Sequence, residues 1–172
     1  MSFEEIRVIT VVYLAVFLPL LIYWKYKSRL PKWIPSFYII SLVVCSLGWE
    51  LWFTYGWLDG DPVDLRRSEN LNKWLPKDIN WLLNSMGDAG AVLLGGTWLM
   101  RVTQKKNLMI FKKWNWTAFI VLYIWCVSQN ILVEMFLYHD QLADGKPLSW
   151  APLSPFGPYF NPVLFEFNER TI

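Results

Sequence analysis

Charge is what this sequence has least of. Asp, Glu, Lys and Arg make up 17% of its 172 residues, where a soluble domain carries about a quarter. The shortfall, set against 55% hydrophobic residues, excludes a disordered chain and an ordinary water-soluble enzyme. Cysteine is scarce as well. Cys45 and Cys126 are too few for a disulfide scaffold. Both fall inside apolar runs, where a free thiol packs as a small hydrophobe. One histidine, His139, beside two thiols gives no basis for a His-rich metal or haem site. No metal and no cofactor is therefore expected. A net charge of +2 is too small to suggest a nucleic-acid partner. What is abundant is apolar and aromatic: 18% of the residues are Phe, Trp or Tyr, and mean hydropathy is +0.27. These residues gather in long runs, the mark of an integral membrane protein.

A transmembrane helix needs about 20 mostly apolar residues. Four segments qualify, at about 8–24, 34–57, 82–100 and 115–138. The third is short and rich in glycine. The fold expected is all-α: a four-helix transmembrane bundle over residues 1–138, then a tail, 139–172, packing on the outer face. Backbone polar groups in lipid must be satisfied within the segment, which favours helices. The alternation of barrel strands is absent. The first segment has Glu4 and Glu5 before Arg7, lacks a small-residue cleavage site, and contains Tyr13, Tyr23 and Trp24. It reads as a retained helix rather than a leader.

The loops set the orientation. The first carries Lys25, Lys27, Arg29 and Lys32, and the third carries Arg101, Lys105, Lys106, Lys112 and Lys113, neither with an acid. Lys/Arg excess marks the cytoplasmic side. Both termini and the mixed-charge second loop then lie outside. Trp24, Trp33, Trp114 and Trp116 fall at the inner boundary, and Trp57, Trp74, Trp81 and Trp150 at the outer one, as an aromatic belt requires. Segment 72–81 (NKWLPKDINW) has the pattern of a short helix lying in the outer interface. The tail is dense in proline, which argues against a further span. It is also dense in aromatics, which points to a cap over the outer mouth or a docking surface.

Ionisable groups in a bilayer cost several kcal/mol each and need a reason. Glu50, Asp88 and Glu134 lie on three different segments, all in roughly the outer third of the membrane. No cation accompanies them. Three carboxylates cannot all stay ionised in a low dielectric, and a protonated acid beside an ionised one is an arrangement for general acid/base work. The bland alternative is that each acid snorkels to water or caps backbone. Asn130 lies one turn deeper than Glu134 on the same face, and Asn84 adds a polar group near Asp88. Gly87, Gly90, Gly95 and Gly96 leave the third helix nearly bare, for close packing or for a flat ligand beside Asp88. Trp49 and Trp52 are candidates for the wall of such a pocket. His139 could relay protons from Glu134 to outer water. Asp59-Gly60-Asp61 with Asp64 resembles part of a calcium loop but lacks the remaining ligands.

The order of these features resembles the emopamil-binding-protein-like, or EXPERA, membrane proteins, which include sterol isomerases. Three segments carry the likeness: GWELWFTYGWLDGD with Glu50, NSMGDAGAVLLGGTWL with Asp88 where the family has a glutamate, and SQNILVEMFLYHDQLADGKPL. The resemblance covers about residues 40–148 and implies acids on successive helices facing a lipid-like ligand. Ser46 stands where the sterol isomerases have a histidine one turn before the first acid. The proline-rich tail stands in place of the family's last helix, and the charge-derived orientation is inverted.

Three functions are compatible with the sequence. The first is a lipid-binding protein, or an acid/base isomerase or cyclase, acting on a terpenoid, sterol-like or carotenoid molecule. In it Glu50 and Asp88 exchange the proton. Trp49, Trp52, Asn84, Asn130 and Glu134 bind or orient. The second is a non-catalytic subunit of a larger membrane complex, with tryptophans, glycines and tail as contacts to other chains or to a second copy. The third is a proton-coupled carrier, for which no repeat or broken helix is visible.

Overall fold

The computed structural model of the chain describes residues 1–57, 61–137, 152–153, 156–160, 162–167 and 170–172. The proposed relay residue His139, the belt residue Trp150, and Asp59 and Gly60 of the calcium-like turn lie outside the described residues. The chain is mostly helical.

Helix α1 (Phe3–Tyr26) opens on a reciprocal cap: the Glu5 N–H donates to the Ser2 hydroxyl at 3.1 Å, and the Ser2 N–H donates to the Glu5 carboxylate at 2.6 Å. It passes through Pro19, which cannot bond the carbonyl of Ala15.

Helices α2 (Ile34–Leu47) and α3 (Trp49–Tyr55) meet at a bend of 46°. The expected second span, 34–57, is therefore bent rather than straight. Gly48 sits at the corner with φ −103° and ψ −113°, and a Cβ there would lie 2.8 Å from the Val44 carbonyl oxygen. The Ser46 carbonyl beside the corner accepts from the indole Nε1 of Trp81 at 2.8 Å. Trp81, expected in the outer belt, is turned inward to hold the bend.

The second loop contains α4 (Val63–Arg66) and α5 (Glu69–Trp74), then leads into α6 (Lys77–Gly87). Segment 72–81 is not the single interfacial helix its pattern predicts. Pro76 has no N–H to continue α5 and instead starts α6. Leu71 and Leu75 are buried with Val8, Val12, Val16 and Leu83, forming the core, while Trp74 and Ile79 remain exposed. Two arginines hold this layer. Buried Arg66 donates to the Phe53 carbonyl. Arg67 donates to Asn72 at 2.7 Å, to Asn80 at 3.0 Å and to the Leu75 carbonyl.

From α6 the backbone stays helical through a π-helical section, Asp88–Leu94, into α7 (Gly95–Thr103). This rod is about 40 Å long; it contains the expected span 82–100 but starts earlier, at Lys77. Helix α8 (Trp116–Leu132), capped by the Asn115 side chain, ends in a π turn, Val133–Leu137. Two helices, Phe3–Tyr26 and Trp116–Leu137, are long and apolar enough to cross a membrane, and the bent pair α2–α3 makes a third if taken as one span.

The rod is the centre of the packing. Helices α1 and α2 lie on its first part and π section, and α8 lies on α7. Gly87 and Gly90 face Ala15 and Pro19; Gly95 and Gly96 face Leu122 and Trp125. Bare glycines let these backbones approach closely. At one end of the molecule Ser68 donates to Glu5 at 2.5 Å and Arg7 Nε donates to the Leu137 carbonyl at 2.9 Å. At the other, Trp33 packs edge-on against Phe111 with centroids 5.1 Å apart.

The tail adds a departure from an all-α fold. Strands β1 (Glu166–Phe167) and β2 (Arg170–Thr171) pair antiparallel. Arg170 Nε donates to the Met135 carbonyl at 2.8 Å, tying the tail to the end of the fourth segment. Tyr159, Phe160 and Leu164 are exposed.

Candidate functional site

The bend at Gly48 puts Glu50 in the first turn of α3, where it is only 3% exposed. Thr54, one turn on, donates its hydroxyl to Glu50 Oε2 at 3.0 Å. The Asn84 side chain also hydrogen-bonds the Glu50 carboxyl, while its own Oδ1 is buried without a hydrogen-bond partner among the described residues. Asp88 opens the π section of the rod, and Glu134 lies in the π turn that ends the fourth segment. Glu134 Oε2 is likewise buried without a partner among the described residues.

These groups face one cavity of about 1570 Å³, lined by Glu50, Asp88 and Glu134 together with Trp49, Asn84 and Asn130. The carboxyls are close enough to act on one another: Glu50 interacts electrostatically with Asp88 and Glu134, and Glu134 with Asp88. They do not form a chelating set. Among the described residues no three of His, Cys, Asp and Glu are placed to hold a metal ion.

The walls are apolar. On one side Leu14, Leu18 and Ile22 of α1 line the cavity while about half exposed, so it opens sideways between helices. On the other, Trp125 stands against the rod with its Nε1 donating to the Val92 carbonyl at 2.9 Å.

Of the residues singled out from sequence, Glu50, Asp88, Trp49, Asn84, Asn130 and Glu134 all reach the cavity. Trp52 is not among its lining residues. Its ring packs on that of Trp49, centroids 4.8 Å apart and tilted by 50°, so it backs the wall rather than forming it. Thr54 was not singled out, although its spacing of one turn from Glu50 would have pointed to it. Cys126 extends the stripe of Asn130 and Glu134 by a further turn, and Cys45 lies within electrostatic reach of Glu50 and Asp88. Both thiols are free. Arg101, Lys25 and Lys106 also line the cavity, at its far end. Reading them only as topology signals hid that role.

No family model, no curated protein and no solved structure matches this chain.

Proposed function

We propose that the chain is a small integral membrane protein whose acid-lined apolar pocket binds a lipid-like molecule and isomerises or cyclises it by proton transfer. The substrate class is a terpenoid, sterol-like or carotenoid molecule. One observation carries the reading: three carboxyls from three separate helical segments meet at a single apolar cavity of about 1570 Å³. Within it a protonated acid can donate to a double bond while an ionised neighbour removes a proton elsewhere. Glu50 and Asp88 are assigned this exchange. The ring face of Trp49, supported by Trp52, shields the cation formed between the two steps. Asn84 and Thr54 orient Glu50, and Asn130 and Glu134 orient the two acids or connect them to water.

The arrangement in the membrane is a four-pass bundle, with the rod Lys77–Thr103 as the third crossing. Both termini and the second loop are extracytoplasmic. The contacts Glu5–Ser68 and Arg7–Leu137 at one end, and Trp33–Phe111 at the other, support this alternation. The lysine-rich first and third loops support its direction. The likeness to EXPERA proteins supports a lipid-type ligand but not a copied mechanism. Ser46, at the histidine position, donates its hydroxyl to the Val43 carbonyl at 3.1 Å, so it is occupied with backbone.

The subunit reading draws on a different observation. The most apolar window of Trp116–Leu137 is only 6% buried, a bare face available to lipid or to another chain. Against it, the glycines are used for contacts within the chain. Native mass spectrometry of the protein extracted gently from its membrane separates the two. A lone chain or homodimer carrying an apolar molecule is the expected result. A stoichiometric assembly with other membrane chains, and no bound lipid, would overturn the pocket reading.

A further inference from the structure

The cavity that holds the three acids does not end among apolar residues. Followed away from them, it reaches Lys25 at the last turn of α1, Arg101 at the last turn of α7, and Lys106 just beyond. Three cations from two helix ends and a loop thus share one void with three carboxyls, at the opposite end. Asp88 and Arg101 are about 20 Å apart along the rod.

Lysines and arginines at helix ends ordinarily snorkel to water. Arg101 departs from that pattern: its Nε is buried, with no hydrogen-bond partner among the described residues. Lys106 is held by a turn in which both Lys105 and Lys106 have positive φ, 53° and 63°, a conformation disfavoured for any residue with a Cβ. The Lys106 N–H closes that turn on the Arg101 carbonyl at 2.7 Å, which brings the two backbones together at the end of the rod.

We infer that the ligand of this cavity is an anionic amphiphile: its charged head group, a phosphate or carboxylate, sits between Lys25, Arg101 and Lys106, and its tail runs about 20 Å to the acids. This rests on the pocket reading above and adds its polarity. An anion is repelled by the acidic end and attracted by the basic one, so the molecule can enter in one orientation only. The unpartnered Arg101 Nε receives an acceptor, and the apolar walls between the two ends receive the tail. The carbon presented to Glu50 and Asp88 is then far from the head group. The reaction assigned to those acids falls at the distal end of the chain.

The test compares hexadecyl phosphate with hexadecanol, binding to the full chain in a nonionic detergent by quenching of tryptophan fluorescence. The phosphate is expected to bind at least about ten-fold more tightly, a difference of about 1.4 kcal/mol. Arg101→Gln should abolish that preference without weakening hexadecanol, and Arg101→Lys should keep most of it. Lys112→Gln, in the same loop but not on the cavity, should leave it intact. Retained hexadecanol binding reports that each variant is folded. Equal binding of the two probes would overturn the head-group site and leave the pocket standing. Equal losses in Arg101→Gln and Lys112→Gln would also overturn it, because the preference would then be surface attraction. Failure of both probes to bind the unaltered chain would remove the apolar pocket itself.

Discussion

Trp81 donates its indole N–H to the carbonyl of Ser46, 2.8 Å away and two residues before the bend at Gly48. That carbonyl has lost its regular place in the helix, and in lipid no water replaces it. Trp81→Phe keeps the ring but removes the donor. The cost is expected to be about 1–3 kcal/mol, or about 2–12 °C in Tm for a chain of this size. A thermal melt in detergent checks it. An unchanged Tm would mean that the bend does not depend on this bond.

Gly48→Ala acts on the same corner from the other side. The new Cβ would stand 2.8 Å from a backbone oxygen, that of Val44, which cannot rotate away. A loss of about 1–3 kcal/mol is expected. Glu50, two residues on, should move with the corner. Copurifying apolar ligand, measured by mass spectrometry, should fall even in the fraction that remains folded.

Proton transfer can be followed without knowing the product. Incubation in D₂O should place deuterium in a turned-over lipid. Glu50→Gln and Asp88→Asn should each lower that incorporation by at least about 100-fold, the lower range for loss of a general acid or base. Both should keep the melt of the unaltered chain within a few degrees. Incorporation that survives both changes would remove these acids from the chemistry.

The rod's glycines differ in what they touch. At Gly90 a Cβ would lie 3.2 Å from the rigid ring of Pro19, whereas at Gly95 the nearest atoms of Trp125 are 3.5 Å away. Gly90→Leu is expected to force α1 off the rod and cost about 1–3 kcal/mol or more. Gly95→Ala should be neutral or slightly stabilising, since alanine favours a helix over glycine by about 1 kcal/mol. Parallel melts of the two variants decide whether the glycines serve packing.

The sequence made the apolar segments legible because a bilayer imposes length and hydropathy with little freedom. Glu50, Asp88 and Glu134 were legible for the same reason: acids inside such segments stand out. The stripe of Asn130 and Glu134 followed from helical spacing. The bend at Gly48 was not legible, because hydropathy runs through it without interruption and a single glycine is ordinary in a membrane helix. The π section over Asp88–Leu94 has the composition of any helix. Trp81 read as one more belt residue, since nothing local shows which way an indole turns. The second loop concealed its burial of Leu71 and Leu75 behind charged neighbours, and Arg66 and Arg67 counted only as loop charge. At the bend, the deciding contact comes from a residue distant in sequence, Trp81 on Ser46.

The π section has a consequence for angular phase. At about 3.6 residues per turn, a regular helix would set Asp88 and Arg101 about 140° apart around the rod, turned nearly away from each other. The wider turns of Asp88–Leu94 accumulate less rotation per residue, so the angle between the two differs from that of a regular helix, and both border the same cavity. A change that rewound this stretch to regular α geometry would preserve every residue, every depth and the hydropathy profile. It would nonetheless turn the two ends of the void out of register.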